Sequence, residues 1–436
     1  MFNKKEEEPP LWIIQKFNAF FDYITHHFGQ IVKNAIRFSL FNLLLFGIML
    51  FSIYKLMALI PSGLVPKEDK GVFFAVSTLP SGASLSRTHE VNEHVGEVAL
   101  KYLGVAKVGG FSGSDFSSKA YTTDAGYSYV RLKHWDERKD ANLSVDALSK
   151  EIIKELSKNK EARIIAVNPS AISGLGVAGG FEMYIQDRKG GGYAALENYA
   201  KEIVARASEH EALKSVRSTL STNTPQYRIH VDNAKVKAYG VDISDVYTTI
   251  QSLFGSVYVN DINLIGRNYR VNVQAKGEFR EDSFNASDVF VKASDGTFLS
   301  LSELVTLKRI INPSITKRFN MFPSAQILGE TNQGYASGVG IKVMEEIASE
   351  VLPEGYGIAW GGASLQEKKL AQTGNLAFIF AIVFIFLILV ALYESWLIPW
   401  AIVLAVPFAL LGATLGVWLR ELQNDIYFQI GLITLV

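Results

Sequence analysis

Cysteine is absent from the 436 residues. That excludes disulfide bridges, thiolate catalysis and cysteine-ligated metal, and leaves burial to hold any water-exposed domain together. Net charge is absent too. Lys and Arg total 43 and Asp and Glu total 43, so no basic excess points to nucleic acid. The marks of common enzymes are also missing: there is no nucleophile elbow, phosphate-binding loop or His-Glu-x-x-His helix. The seven histidines are scattered too widely to form a ligand set, and His26 and His27 fall within an amphipathic pattern. Gly174-Leu175-Gly176 and Gly190-Gly191-Gly192 lack the strand and helix context of a phosphate site and read as turns. No catalytic residue, cofactor or metal is expected.

Long apolar runs, in contrast, are present. Phe38 to Tyr54 carries no charge, and with Lys55 snorkelling the stretch continues to Val65, enough for a crossing of roughly 30 Å. Leu376 to Tyr393 and Leu397 to Leu419 are two more runs, and their prolines are tolerated where neighbours satisfy the freed carbonyls. Glu394-Ser395-Trp396 between them forces a tight hairpin. Ile426 to Val436 supplies about half the residues of a crossing. The sequence thus reads as an incomplete piece of an integral membrane protein. Spans are expected at 34–60, 373–393 and 397–419, with part of a fourth at 425–436.

Residues 1–33 precede the first span. The acidic run Glu6 to Glu8 replaces the basic region of a cleavable signal. Trp12, Ile13, Phe17, Phe20, Phe21, Ile24, Phe28, Ile31 and Val32 then recur at helical spacing, as in a helix lying on a membrane surface or in an ordinary soluble helix. Lys4, Lys5, Lys16, Lys33 and Arg37 place the amino terminus in the cytoplasm by the positive-inside tendency, and the region from Pro61 to Gln372 outside. No charged residue falls at mid-span, so no ion-coupling group is visible in these runs.

In the outer region the apolar period switches between two and about 3.6. Strands are expected at Gly71 to Thr78, near Val105 to Phe111, at Tyr127 to Lys133 and at Arg163 to Val167, with helices at Ser84 to Leu103 and Ser144 to Ser157. Two adjacent βαβ units imply a split, ferredoxin-like sheet with helices on one face. A second cycle starts at Gly180 to Gln186, Tyr193 to Ser208 and Lys214 to Ser218, and finishes at Ser324 to Glu330, Val339 to Ser349 and Gly357 to Trp360. An insertion interrupts it, with strand-like Tyr227 to Val231, helices from Asn233 and Ser244, and hairpin-like strands around Val257, Arg270 and Val289. Asp295-Gly296 marks a tight turn.

The stretch Gly109-Gly110-Phe111-Ser112-Gly113-Ser114-Asp115-Phe116 reads as a glycine-punctuated loop between two strands. Flexible backbone beside aromatics suits adaptable apolar binding; equally, Phe111 and Phe116 could be core residues at strand ends. Tyr127 and Tyr129 share one face of the next strand, lining either a core or a cleft.

Taken together, these features resemble the carboxy-terminal half of a resistance-nodulation-division multidrug exporter of the hydrophobe/amphiphile type. The likeness is carried by Pro61-Ser62-Gly63-Leu64-Val65-Pro66-Lys67-Glu68-Asp69-Lys70-Gly71, Leu79-Pro80-Ser81-Gly82-Ala83, Leu132-Lys133-His134-Trp135 with Arg138, Thr224-Pro225-Gln226-Tyr227, Tyr258-Val259-Asn260-Asp261, Ala391 to Trp396, and Asn424 to Leu432. The resemblance implies a membrane α-helical plus α+β fold in which transmembrane helices carry periplasmic porter subdomains of ferredoxin-like βαβ type. One would span 61–174 and the second 175–229 with 312–365, the docking subdomain being inserted at 230–311.

It further implies a homotrimer in the full-length parent, a periplasmic adaptor, an outer-membrane channel, and apolar or amphiphilic drug-like substrates exported against protons. Phe111, Phe116, Tyr127, Tyr129, Val108, Ile165 and Val167 would meet substrate. Gly109, Gly110, Ser112 and Gly113 would form a switch loop, and Tyr258, Val259, Asn260 and Asp261 would dock. The loop is longer than the family pattern, the family's paired intramembrane aspartates lie in the other half, and its tenth-span lysine would follow Val436. Two rival readings are a membrane-tethered binding or assembly module without transport, and an exporter of metal ions or lipids, for which six methionines without a paired cluster speak poorly.

Overall fold

A computed structural model describes residues 12–66, 68–170, 172, 174–176, 179–277, 289–332 and 334–435, without the side chains of 13–15 and 371–379. The sequence expectations resting on Lys4, Lys5, Glu6 to Glu8, Lys67 and Val436 lie outside these residues. Helix α1 (Trp12–Arg37) leads through Phe38 into α2 (Ser39–Leu59). An ordinary soluble helix buries its apolar stripe, yet Trp12, Phe17, Phe20, Phe21 and Phe28 of α1 are all exposed. The apolar residues of α2 surround the whole helix, which is long and apolar enough to cross a membrane.

The first outer unit contains β1 (Val72–Thr78), α3 (Leu85–Ala99), β2 (Val105–Ser114), β3 (Tyr121–Leu132), α4 (Val145–Leu156) and β4 (Arg163–Val167). Ser84 and Ser144 start the two helices by accepting the backbone N–H groups of Arg87 and Ala147. The strands are antiparallel in the order β2-β3-β1-β4, the order of a split βαβ sheet. Period-two alternation turns Phe73, Ala75, Val130 and Leu132 toward Val91 and Val95 of α3 and Leu148, Ile152 and Leu156 of α4. Three bounds differ from the sequence expectation: α3 ends at Ala99, β2 runs on to Ser114, and β3 starts at Tyr121.

The second unit opens with β5 (Phe181–Asp187), α5 (Gly192–Glu209) and β6 (Leu213–Ser218). Gly190 and Gly192 take left-handed φ values of 84° and 83°, and their N–H groups, with that of Lys189, donate to the Asp187 carboxylate. The expected turn is therefore a self-capped helix start.

The chain then departs along β7 (Thr224–Val231) through α6 (Asn233–Ala238), α7 (Ile243–Phe254), β8 (Val257–Leu264), β9 (Arg267–Val273), β10 (Phe290–Lys292), β11 (Phe298–Ser300) and α8 (Leu301–Leu304). It returns along β12 (Val305–Asn312). The β7–β12 ladder runs unbroken from Thr224 opposite Asn312 to Val231 opposite Val305. It therefore continues across the boundary expected at residue 230, because its backbone hydrogen bonds join all eight pairs. A separate small core of Val231, Val236, Val246, Val291, Leu301 and Leu304 fills the insertion.

Strands β13 (Lys317–Phe319) and β14 (Phe322–Thr331), helix α9 (Ser337–Val351) and β15 (Tyr356–Trp360) complete the second unit. Its strands order as β6-β14-β5-β15, with β13 folded back on the start of β14. Helix α10 (Gly362–Tyr393) is continuous and begins before the expected span. Glu394 leaves it in a left-handed conformation, φ 50°. Then come α11 (Ile398–Val403), α12 (Val406–Leu419) and α13 (Ile426–Leu435). Ile398–Leu419 is long and apolar enough to cross a membrane, while Phe380–Tyr393 and Ile426–Leu435 are shorter apolar helices among the described residues. Phe46 of α2 packs on Phe408 of α12 at 6.1 Å.

One segment ties these bodies together. The Asp69 carboxylate takes both guanidinium ends of Arg138, each at 2.6 Å, and the N–H groups of Gly71 and Val145 at 2.8 and 2.9 Å. The Trp135 indole donates to the Asp69 carbonyl at 3.0 Å. Upstream, Gly63 N donates to Asn424 O, Asn424 N to Pro61 O, Ile426 N to Leu64 O, and Gly338 N, at the start of α9, to Ser62 O. Glu367 of α10 is buried beside this weave and accepts from Ser337 Oγ at 3.0 Å.

These two carboxyls should leave opposite marks on thermal melting in detergent. The hydrogen bond from Arg138 holds Asp69 down at about 2. Its stabilisation is thus complete above the ordinary carboxyl value of 3.8 and is lost as pH falls toward about 2. Asp69→Ala strands the buried guanidinium and is expected to cost about 3 kcal/mol at neutral pH. Glu367 moves the other way: burial raises its carboxyl from 4.5 to about 7. Its contribution is full below 4.5 and lost as pH rises through about 7. The melting temperature is therefore expected to drop between about pH 4.5 and about pH 7 in the unsubstituted chain and to stay flatter in Glu367→Gln.

Candidate functional site

Strand alternation leaves the first sheet with two unlike faces. The one away from α3 and α4 carries two rows that run straight across all four strands. Phe111 of β2 pairs with Tyr127 of β3, Tyr127 with Val76 of β1, and Val76 with Ile165 of β4. One step along, Gly109 pairs with Tyr129, Tyr129 with Phe74, and Phe74 with Val167. Five expected substrate residues, Phe111, Tyr127, Tyr129, Ile165 and Val167, therefore share one surface.

The rings interlock at distances suited to aromatic pairing. Phe111 stacks on Tyr127 at 5.1 Å and 24°. Phe74 meets Phe116 at 4.8 Å and Tyr129 at 5.6 Å, and Phe116 meets Tyr127 edge-on at 5.4 Å. Phe111 is 55% exposed and Tyr129 is 38% exposed, so the face offers open aromatic surface to a ligand.

Several expectations are corrected. Gly109, Gly110 and Ser112 do not lie in a loop: β2 carries them in register with β3 as far as Ser114, and the reversal falls at 115–120. Glycines permit extended backbone as readily as a turn, and the partner strand decides. Gly113 marks the irregularity, with φ 86° and a register shift between Ser112 and Ser114. Phe116 is 8% exposed and packs on Val76, Val167, Phe74 and Tyr127, so it lies on this side of the sheet and covers part of the face as a core residue. Val108 points the opposite way, pairing with Val130 and packing on the helix-side core. Two residues of the face, Phe74 and Val76, were missed altogether. Phe74 sits beside Phe73 in sequence, and only the cross-strand register shows that the two go to opposite sides.

The second unit carries a polar cluster of its own. On the side of the second sheet away from its core, the Tyr184 hydroxyl donates to Glu182 at 2.5 Å, and Gln326 Nε2 donates to Glu182 at 2.7 Å. Lys317 donates to Gln326, and Phe319 stacks flat on Tyr184 at 3.9 Å. Burial pulls the Lys317 and Arg217 side chains below their ordinary values, while Asp115, in the β2–β3 reversal, favours the charge of both. Arg163 at the start of β4 opposes the charge on Arg217. The first unit thus presents an aromatic face, and the second carries cations partly stripped of water. Sequence reading missed Arg217, Lys317 and Glu182, since nothing local distinguishes them from solvated surface charges.

The residues expected to dock lie on β8. Tyr258, Val259, Asn260 and Asp261 are all exposed, in a two-stranded hairpin with β9 whose turn, Ile265-Gly266, has φ 52° and 72°. Val259 is the extra residue of a bulge between Tyr258 and Asn260. No group of metal-ligating side chains occurs among the described residues.

The AcrB/AcrD/AcrF family matches residues 1–436. The chain is similar to the multidrug export protein AcrF of Escherichia coli strain K12, with 33% identity over 421 residues, covering 96% of this chain and 41% of that protein. It is similar to the toluene efflux pump membrane transporter TtgB of Pseudomonas putida, with 32% identity over 425 residues, covering 98% and 40%. Against the multidrug resistance protein MdtF of Escherichia coli strain K12 the identity is 33% over 433 residues, covering 98% and 41%. The chain therefore spans about two fifths of the length of these curated relatives.

The two phenylalanines of the β2 region are expected to behave differently on truncation. Phe116→Ala empties a buried site and should cost about 3 kcal/mol in denaturant melts. Phe111→Ala removes an exposed ring and should cost under about 1 kcal/mol, leaving the fold intact.

Proposed function

Because the chain belongs to the AcrB/AcrD/AcrF family of resistance-nodulation-division multidrug efflux transporters, we propose that it supplies half of the substrate path and the docking surface of a proton-driven, tripartite multidrug pump. In this reading α2, α10 and α11–α12 cross the inner membrane, α13 begins a further crossing, and α1 lies along the cytoplasmic surface. The units built on the four-stranded and five-stranded sheets are periplasmic porter subdomains, and the insertion carried by the β7–β12 ribbon is the docking subdomain. The exposed β8 residues Tyr258 to Asp261 face neighbouring copies in a trimer or the partner proteins, a periplasmic adaptor and an outer-membrane channel.

The observation that carries the proposal is the open aromatic face. A soluble sheet normally covers or solvates its second side; here Phe74, Phe111, Tyr127 and Tyr129 form a continuous π surface instead. Adaptable aromatic contact gains affinity from area without demanding one hydrogen-bond pattern, which suits varied apolar or amphiphilic molecules. In this reading the half-buried Lys317 and Arg217, with Glu182, receive the polar end of such a molecule. The β2 segment from Gly109 to Gly113, flanked by glycines at an exposed sheet edge, is the element that shifts between neighbouring pockets.

The proposal is tested with a photoreactive benzophenone amphiphile added to the chain in lipid nanodiscs, the attached sites being mapped by mass spectrometry. Labelling is expected at Phe74, Phe111, Tyr127 and Tyr129, with the yield on this face reduced at least threefold in Phe111→Ala. Labelling confined to the apolar helices, or a yield indifferent to Phe111, would sink it.

A further inference from the structure

Between Val108 and the reversal at residue 115, the helix-facing positions of β2 are Gly110 and Ser112. Gly110 has no side chain to pack. Ser112 is held by Asn92, a buried residue in the middle of α3. The Asn92 amide donates twice, to the carbonyl of Phe111 at 3.1 Å and to Ser112 Oγ at 3.0 Å. The geometry of its surroundings is built for that reach. A Cβ on Gly126, which pairs with Ser112, would collide with Asn92 Nδ2 and lie 2.9 Å from the Phe111 carbonyl oxygen. Any side chain there would displace the amide. A Cβ on Gly110 would already touch Asn92 Cβ at 3.6 Å.

Packing alone does not account for an asparagine at this point. Its neighbours on α3, Val91, Val95 and Val98, are core residues, and a leucine would continue their stripe. Asn92 instead brings a polar group into that layer, and its Oδ1, together with the hydroxyls of Ser77 and Ser128, has no hydrogen-bond partner in the structure. Burying an unsatisfied acceptor is costly. The gain on the other side is control of one peptide plane. Gly109, Gly110 and Gly113 leave the backbone around Phe111 with little steric preference, so the bond to the Phe111 carbonyl fixes which way its ring projects.

We propose that Asn92 is a positioning residue, holding Phe111 stacked over Tyr127 and thereby setting the shape of the aromatic face. This rests on the reading of that face as a substrate surface. When the bond breaks, the strand edge between Gly109 and Gly113 is free to move while the sheet behind it stays intact. Asn92 acts through Phe111 and has no contact with the ligand.

The experiment measures backbone amide exchange in the full chain in nanodiscs, alongside the benzophenone labelling. Asn92→Leu keeps the apolar packing and removes the donor. It is expected to raise exchange at residues 111–114 about fivefold, as loss of one hydrogen bond of about 1 kcal/mol implies, with β1 and β4 unchanged and labelling at Phe111 lowered. Asn92→Asp donates only when protonated, so its exchange relative to the unsubstituted chain at the same pH should be normal in acid and rise with pH. Unchanged exchange in Asn92→Leu, a rise spread evenly over the sheet, or no pH dependence in Asn92→Asp would overturn the assignment. Faster local exchange in a chain whose aromatic face is never labelled would uphold the positioning and refute the substrate reading instead.

Discussion

The outer region depends on the paired charge at Asp69. A guanidinium whose side chain is 1% exposed cannot be left without a counter-charge, and Arg138 also donates to the carbonyls of Lys133 and Leu143. The same carboxylate holds the N–H of Val145 at the start of α4 and of Gly71 just before β1. A single residue thus fixes the entry of the chain into the first sheet, the start of one covering helix and the loop between β3 and α4. If that point slips, the register of β1 with β3 and β4 slips with it. The aromatic rows, which exist only through that register, would then disperse.

The two sheets share a winding order but use it differently. In the first, the side away from the helices is aromatic. In the second, the corresponding positions, Glu182, Tyr184, Gln186 and Gln326, make a hydrogen-bonded polar layer over which Phe319 and Lys317 fold back. Asp115 of the first unit favours the charges on Lys317 and Arg217 of the second, and Arg163 opposes that on Arg217, so the two units are coupled electrostatically near the β2–β3 reversal.

Much of this was legible in the sequence because it rests on local pattern. The apolar periods of β1, α4, β5 and α9 mark those elements closely, since each buries one face against a large core. What the sequence hid depends on partners distant along the chain. The run from Gly109 to Ser114 looks like a loop because its glycines permit a turn, and only pairing with β3 draws it into extended form. Phe111 and Phe116 look alike in sequence, yet one lies on the sheet and the other beneath the reversal. Phe74 is disguised by its neighbour Phe73. Arg217 and Lys317 owe their character to burial and to charges distant along the chain, Asp115 among them. Asn92 reads as a polar interruption of a helix stripe, and its partners lie 19 and 20 positions later.

The weave at Pro61 to Leu64 bears on the order of assembly. Its partners, Asn424 and Ile426, lie roughly 360 residues downstream, so closing it carries one of the largest separations the chain contains. Both sheets, whose contacts are shorter in range, can condense while this closure is still open. During synthesis the segment after α2 would emerge with its backbone groups facing water; Ser62 would gain its partner when Gly338 arrived, and Pro61, Gly63 and Leu64 only when the start of α13 did. The seam between outer region and membrane helices thus sets later than either sheet.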